Sequence, residues 1–400
     1  MIPVEEAQAR VLEAAKPTGI ELIMLADAHG RTLAEPIIAR RTQPPADMSA
    51  MDGYALRAAD TAAAPASLKV IGESPAGRPF TDTVGKGQAV RIFTGGEVPA
   101  GADSIVLQED VDRDGDTVRL SEAAELGRHI RRAGLDFRSG ETTIPAGTVM
   151  TPGQLSLAAG MNIVWVRAAR RPRVAILATG DEIKLPGDAL APGQIIGSSG
   201  LGIAAYVRDC GGEPLMLDVA KDDEGALISA ARQAAGCDIL VTLGGASVGD
   251  HDLVQSALAK EGLDVDFWRI AMRPGKPLMF GALGGQMVLG LPGNPVSTMV
   301  CAHLFLGPAI RHMLGREDTA PPATYARLKT PIAANDRRQD YVRARMTAEQ
   351  EHGFAVEPFR VQDSSMMSVY AAANALIVRA PHTEAAKIGD LVQVLPLDFI

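Results

Sequence analysis

The chain has 400 residues, 46% hydrophobic and 22% charged, the balance of a soluble globular protein with length for about two to four domains. Its formal net charge of -9 excludes a dedicated nucleic-acid binder, which needs basic excess, but allows a small anionic ligand held by local positive charge. Cys210, Cys237 and Cys301 show no C-x-x-C spacing, so neither a disulfide framework nor a zinc site is indicated; the lack of a leader or membrane-length apolar run predicts a cytoplasmic protein.

In chain order, residues 3–15 carry Val4, Ala7, Val11 and Leu12 near helical spacing and predict a helix. Short strands follow over 21–25 and 37–39, with a turn and short helix between them. Residues 41–60, RTQPPADMSAMDGYALRAAD, read as a loop, yet Met48, Met51 and Tyr54 favour burial. That loop either folds against another surface or makes a plain turn at Asp52-Gly53. From 67 to 120, short β-type runs alternate with Gly/Pro turns, a β-rich module that places Thr94-Gly95-Gly96 at a strand end. Arginines crowd 127–141 around Asp136, a pattern that a solvated basic face also explains. A helix capped by Thr151, with Pro152 at its first position, precedes a strand over 162–166.

Beyond Arg171 the texture becomes strand–helix alternation. Strands are predicted over 174–178, 213–219, 238–243, 265–270, 278–280 and 287–291. Helices are predicted over 198–210 and 222–235, from the acidic loop to Lys260, and over 296–314. This is a doubly wound α/β domain, in which ligands sit beyond the carboxyl ends of the strands. Three such ends carry TGDE, GGASVGDHD and LPGNPVS, so independent loops should converge on one crevice. Glycines there let the backbone approach an anion, and the carboxylates call for a bridging divalent cation. An ordinary βα turn with a helix cap accounts for Gly244-Gly245 taken alone. Residues 323–400 return to strands and predict a small β-barrel or sandwich.

Several chemistries drop out. No G-x-G-x-x-G follows the first strand, PGKP (274–277) is not a Walker A motif, and no G-x-S-x-G elbow or triad histidine is present. His251 lacks a partner at ligand spacing. Lys276, between prolines, is either a held cation or part of a rigid solvated turn. What remains is a carboxylate-rich crevice with glycine cradles and fixed cations, suited to metal-assisted chemistry on a phosphorylated ligand.

SAMDGYA (49–55), IFTGGEVPAGADSIVLQED (92–110), IRRAGLDF (130–137), LATGDEI (177–183), GGASVGDHD (244–252), RPGKPLMFG (273–281) and GLPGNPVS (290–297) stand in one chain in this order. Together with SSMMSVYAAANAL (364–376), the set resembles the molybdopterin molybdenumtransferase family, the molybdenum insertases, related to the catalytic domain of gephyrin. The resemblance spans essentially the whole chain. It implies a homodimer of four-domain subunits: 1–41 with 135–170 as a discontinuous first domain, an inserted β-rich domain (42–134), an α/β molybdopterin-binding domain (171–318) similar to molybdopterin adenylyltransferases, and a β-barrel (319–400). It implies a crevice between the third domain of one subunit and the second of the other. There, adenylylated molybdopterin and molybdate would become molybdenum cofactor and AMP with magnesium.

Carried over by position, Asp52, Thr94, Asp136, Glu182, Asp222 and Asp252 are the implied catalytic residues, with Glu182, Asp222 and Asp252 able to hold the cation. Gly244, Gly245 and Ser247 would take the phosphate end, Arg273, Lys276 and Ser297 molybdate or the pterin phosphate, and Arg338, Arg343 and Ser364 the wider anion region. The adenylyltransferase and cofactor-accepting enzymes are the implied protein partners. Arg269 and Arg273 stand where many members have lysine, and Asp363 where glycine is usual, which should weaken anion binding at Ser364 by repulsion. Two other readings compete: adenylyltransfer, disfavoured by the full set of flanking modules, and a non-catalytic carrier or scaffold, disfavoured by the retained crevice acids.

Overall fold

In the computed structural model, which describes residues 1–244, 253–349 and 353–397, helix Val4–Ala14 buries Val4, Ala7 and Val11 as their spacing predicts. It buries them in the core of the α/β region, beside Ile203, Phe305 and Ile310. The following strand, Ile20–Met24, pairs antiparallel with Trp165–Ala169, and Ile37–Ile38 pairs with Thr142–Ile144. Leu25, Leu33 and Ile37 therefore share one core with Phe137, Met150 and Met161. The strand expected over 162–166 starts three residues later. Helix Pro152–Gly160 ends in Asn162 at φ 63°, a left-handed turn that must be completed before extended chain can begin.

Between these stretches lies a six-stranded sheet in the order Ser104–Leu107, Gly53–Leu56, Gln88–Ile92, Ala66–Ser74, Thr117–Leu120, Val111–Asp114. Residues 41–60 are thus not all loop: Gly53–Leu56 is a wholly buried strand with neighbours on both sides. Four residues without alternation give no period-2 signal, because both faces are covered. A Cβ at Gly53 would come within 2.0 Å of the Val106 carbonyl oxygen, so the pairing admits only glycine there. Tyr54 is buried as expected, while Met51 stays exposed.

The α/β sheet runs Glu213–Met216, Arg173–Ala178, Ile239–Leu243, Gln286–Leu291, Pro277–Leu283, Leu263–Arg269. The first four strands are parallel; Pro277–Leu283 runs antiparallel to both of its neighbours, so Leu263–Arg269 points the same way as the first four. Helices Ser199–Asp209 and Pro295–Cys301 cover one face, and Glu224–Gln233 and Leu253–Lys260 the other. The helix predicted over 296–314 changes in kind midway: Ala302–Leu306 is a π turn between two α segments. The helix expected from Asp222 starts at Glu224, because Asp223 caps it by accepting the Ala226 amide at 2.9 Å. Asp222 is left outside the helix, facing the crevice loops.

The C-terminal strands Gln339–Glu349, Gly353–Pro358, Thr324–Leu328, Leu391–Pro396 and Ala375–Arg379 pair in sequence, and the last returns to the first. The sheet is therefore a closed five-stranded barrel. Short strand Met272–Arg273 joins it from outside, parallel to Gln339–Asp340. Helix Met367–Ala372, inside the SSMMSVYAAANAL stretch, was not anticipated; its six residues are too few for a periodic pattern. Among the described residues, no helix is long and apolar enough to cross a membrane.

Candidate active site

The parallel strands deliver their carboxyl ends to one place. The Thr179 amide donates to the Leu243 carbonyl at 3.2 Å, and the Gly244 amide to the Leu291 carbonyl at 3.2 Å. Gly244 adopts φ 91°, where a side chain is strained, and a Cβ there would lie 3.3 Å from the Thr179 carbonyl oxygen. A Cβ on Gly293 would lie 3.6 Å from the Gly244 Cα. The TGDE turn, the first glycine of GGASVGDHD and the LPGNP turn thus form one floor. The convergence expected from the sequence holds for the TGDE and LPGNP turns and for Gly244; the rest of GGASVGDHD lies outside the described residues.

Sheet order then sorts charge across that floor. Asp181, Glu182 and Asp222 follow the two strands at one edge, and the Asp222 amide donates to Asp181 Oδ1 at 3.3 Å. The Asp222 carboxyl pKa is raised by its surroundings, first by burial and then by the negative charge of Asp181, with Glu182 adding to it. At the opposite edge stand Arg269, Arg273 and Lys276, because antiparallel pairing brings Arg269 level with Pro277 at the same end of the sheet. The Arg269 guanidinium lies 4.9 Å from the Trp268 ring centroid. Among the described residues, neither Arg269 nor Lys276 has an ion-pair partner; Arg273 is bound by Asp340 at 2.5 Å and Asp336 at 3.6 Å.

The barrel reaches this floor through Ser364. Its carbonyl accepts the Val296 amide at 3.1 Å, and its hydroxyl accepts the Asn294 side-chain amide at 3.1 Å. Arg343 is buried, donates from Nη2 to the Asp363 carbonyl at 3.2 Å, and leaves Nε without a partner. Burial lowers its pKa. The Asp363 carboxylate is not aimed freely at Ser364, since the Ser365 amide and hydroxyl donate to it at 2.8 and 2.6 Å. Arg338 pairs with Asp336 at 3.1 Å, and Ser297 is buried in the first turns of its helix.

Asp52 and Thr94 meet away from this floor. The Thr94 amide and hydroxyl both donate to Asp52 Oδ1, at 2.7 and 2.8 Å. These bonds hold the Asp52 carboxyl below the usual carboxylate range. Asp136 is exposed at the junction of the first two modules, where its amide donates to the Gln43 carbonyl at 3.0 Å. Among the described residues, no hydrogen bond or ion pair joins Asp136 to Asp52, or residues 42–134 to the α/β floor. A cavity of about 540 Å³ opens at the opposite, amino ends of the strands, beside Arg170 and Arg232. Both arginines are already held by carboxylates, Asp238 and Glu261, so the cavity offers a ligand little free charge.

Comparison with known proteins explains this set. A sequence profile for the MoeA N-terminal region (domains I and II) matches residues 2–162. A profile for a probable molybdopterin binding domain matches 175–312, and one for the MoeA C-terminal region (domain IV) matches 325–397. The molybdopterin molybdenumtransferase of Haemophilus influenzae is 33% identical over 407 residues, covering 100% of both chains. That of Bacillus subtilis is 34% identical over 403 residues, covering 98% of this chain and 94% of its own.

This chain belongs to the molybdopterin molybdenumtransferase family. As a member it is a transferase acting at the final step of molybdenum cofactor biosynthesis. The fold agrees: the molybdopterin biosynthesis moeA protein of Pyrococcus horikoshii superposes with a TM-score of 0.86 at 28% identity, covering 99% of this chain and 100% of that one. Of the residues that the transferase resemblance singled out, Gly245, Ser247 and Asp252 lie outside the described residues. Glu182, Asp222, Gly244, Lys276 and Ser364 reach the floor. Asp181 was missed, although it sits inside the TGDE motif; its acid beside Glu182 was the available signal. Asp340 was also missed, and no local pattern marks it.

Proposed function

We propose that the crevice takes adenylylated molybdopterin and molybdate, cleaves the phosphoanhydride to release AMP, and yields molybdenum cofactor. The division of charge carries this reading: acids at one edge suit a cation-screened pyrophosphate, cations at the other suit molybdate, and a glycine floor lets both approach. Asp181, Glu182 and Asp222 repel one another, which favours a bound cation, and a magnesium ion there would neutralise the phosphates. Among the described residues, no three such side chains are grouped to ligate a metal, so Asp252 would complete the set. Lys276, with Arg343 and Ser364 from the barrel and Ser297 behind them, would orient the oxyanion, and Gly244, Gly245 and Ser247 the phosphate end. Full-length relatedness to named molybdenumtransferases, with all flanking modules present, argues against the adenylyltransferase and scaffold readings.

The active unit on this reading is a homodimer, divided per chain into 1–41 with 135–170, 42–134, 171–318 and 319–400. Asp52 and Thr94 are the reason: they have no link to their own floor, so they would serve a second copy's floor, with Asp136 near the junction. An exposed apolar surface supports the second copy. Ile20, Leu22 and Met24 face outward from one side of their strand, Met24 opposite Trp165, and Leu22 is 62% and Trp165 51% exposed. Such an apolar ribbon is unusual on a monomer.

Two measurements test these points. Leu22→Asp should convert the dimer to monomer in light scattering and abolish AMP release; a dimer unchanged by it would remove the ribbon from the interface. Asp52→Ala and Asp222→Asn should each be inactive, yet co-refolded together they should recover about a quarter of wild-type activity, because half the random dimers contain one intact composite site. No recovery in verified heterodimers would place both residues in one subunit's site or in none.

A further inference from the structure

Arg273 lies at the cationic edge but is not free to meet an anion. Its Nη2 bonds Asp340 Oδ2 at 2.5 Å and lies 3.4 Å from Asn335 Oδ1, while Nη1 faces Asp336 at 3.6 Å. The backbone beneath repeats the link: Met272–Arg273 runs parallel to Gln339–Asp340, and the Gln339 amide donates to the Ala271 carbonyl at 2.9 Å. Asp340 also acts electrostatically on two other barrel arginines, the buried Arg343 and Arg379. One carboxylate therefore serves three guanidinium groups, and only Arg273 comes from the α/β module. Asn335 is fixed in turn, its side-chain amide donating to the carbonyls of Arg338, Arg379 and Ala380.

Beside the packing of Tyr341, Leu376 and Leu395 into the α/β core, the polar contacts among the described residues stitch the barrel to the α/β module at two places. One is this ion-paired strand junction; the other is Ser364 on the Asn294–Val296 turn. Arg343, three residues beyond Asp340 on the same strand, is tied through Asp363 to the second stitch. Shifting the first stitch must therefore move the residues that reach the floor.

We propose that Arg273 is a positioning residue: clamped by Asp340 and Asp336, it fixes where barrel residues Arg343 and Ser364 meet the α/β floor, and it does not itself hold the molybdate. A lysine here would make a single point contact, whereas the planar arginine fork engages two carboxylates and the Asn335 side chain together. The inference rests on the transferase reading for its kinetic test but not for its structural one.

The experiment compares Arg273→Gln, Asp340→Asn and the double variant in the full-length protein. Amide hydrogen exchange is followed at Gln339 and Val296, and molybdate-dependent AMP release is measured. Each single variant should speed exchange at Gln339 and raise the molybdate KM by about threefold to tenfold, with kcat within about twofold. The double variant should be no worse than Asp340→Asn alone, as expected when Arg273 acts through that carboxylate. Thermal unfolding confirms that each variant is folded before kinetics are compared. If Arg273 were instead a ligand, Asp340→Asn would free it, and KM would stay level or fall while Arg273→Gln alone raised it; that result overturns the clamp. Unchanged exchange at Gln339 in both variants overturns it as well. Wild-type protein without molybdate-dependent AMP release would count against the transferase reading, and the exchange data would still decide the clamp.

Discussion

Asp222→Asn should unfold at a higher temperature than wild type at neutral pH, yet release AMP at least about a hundredfold more slowly. Both effects follow from one observation: burial and the charges of Asp181 and Glu182 disfavour the ionised form of Asp222. With its folded-state pKa raised above the unfolded 3.8, the folded protein takes up a proton before the unfolded chain does as pH falls. The wild type therefore gains stability as the solution is acidified through the folded pKa, and at neutral pH it carries the repulsion unrelieved. Asparagine removes the charge at every pH and abolishes that gain. Magnesium should raise the wild-type melting temperature more than that of the variant, because the ion relieves the same repulsion. A variant less stable than wild type in the absence of magnesium would show that the acids do not oppose one another.

A second large effect should come from His303, within the π turn. Its ring is buried, its Nε2 has no partner among the described residues, and its ring centroid stands 6.3 Å from that of Tyr206. Burial, reinforced by Arg311, pushes its pKa from 6.5 down to about 4. Above pH 6.5 neither state binds the proton and the group is silent. Between 6.5 and 4 the unfolded chain takes a proton that the folded core refuses, so stability falls with pH, by roughly 3 kcal/mol in all. Urea unfolding of wild type and His303→Phe at pH 7 and pH 4.5 measures this, the difference between the proteins isolating His303 from other acid-sensitive groups. Parallel losses in the two would mean that His303 is protonated in the folded core.

Some of the crevice was legible because its signals are local. A β-branched run ending in glycine is a strand with a backbone turn, and TGDE and LPGNP obey the same rule; each signal fits within a few residues. Helix Val4–Ala14 and the capped helix at Pro152 were read from spacing and from Thr151-Pro152 in the same way. Strand Gly53–Leu56 was not, since a short strand buried on both faces has no alternation, and its neighbours are 88–92 and 104–107. The Asp52–Thr94 pair joins positions 42 residues apart and Arg273–Asp340 joins positions 67 apart, separations that no periodic pattern spans.

By itself, then, the sequence determined the family, the α/β class with its flanking β modules, and the strand ends that would carry chemistry. Each of these is written in local composition or in the order of short motifs. Only the tertiary structure decided the closure of the barrel, the separation of acids from cations across the floor, and the capture of Arg273 by a barrel carboxylate. Those depend on strand order and on which edges meet, and hydrophobic burial across the whole chain sets both.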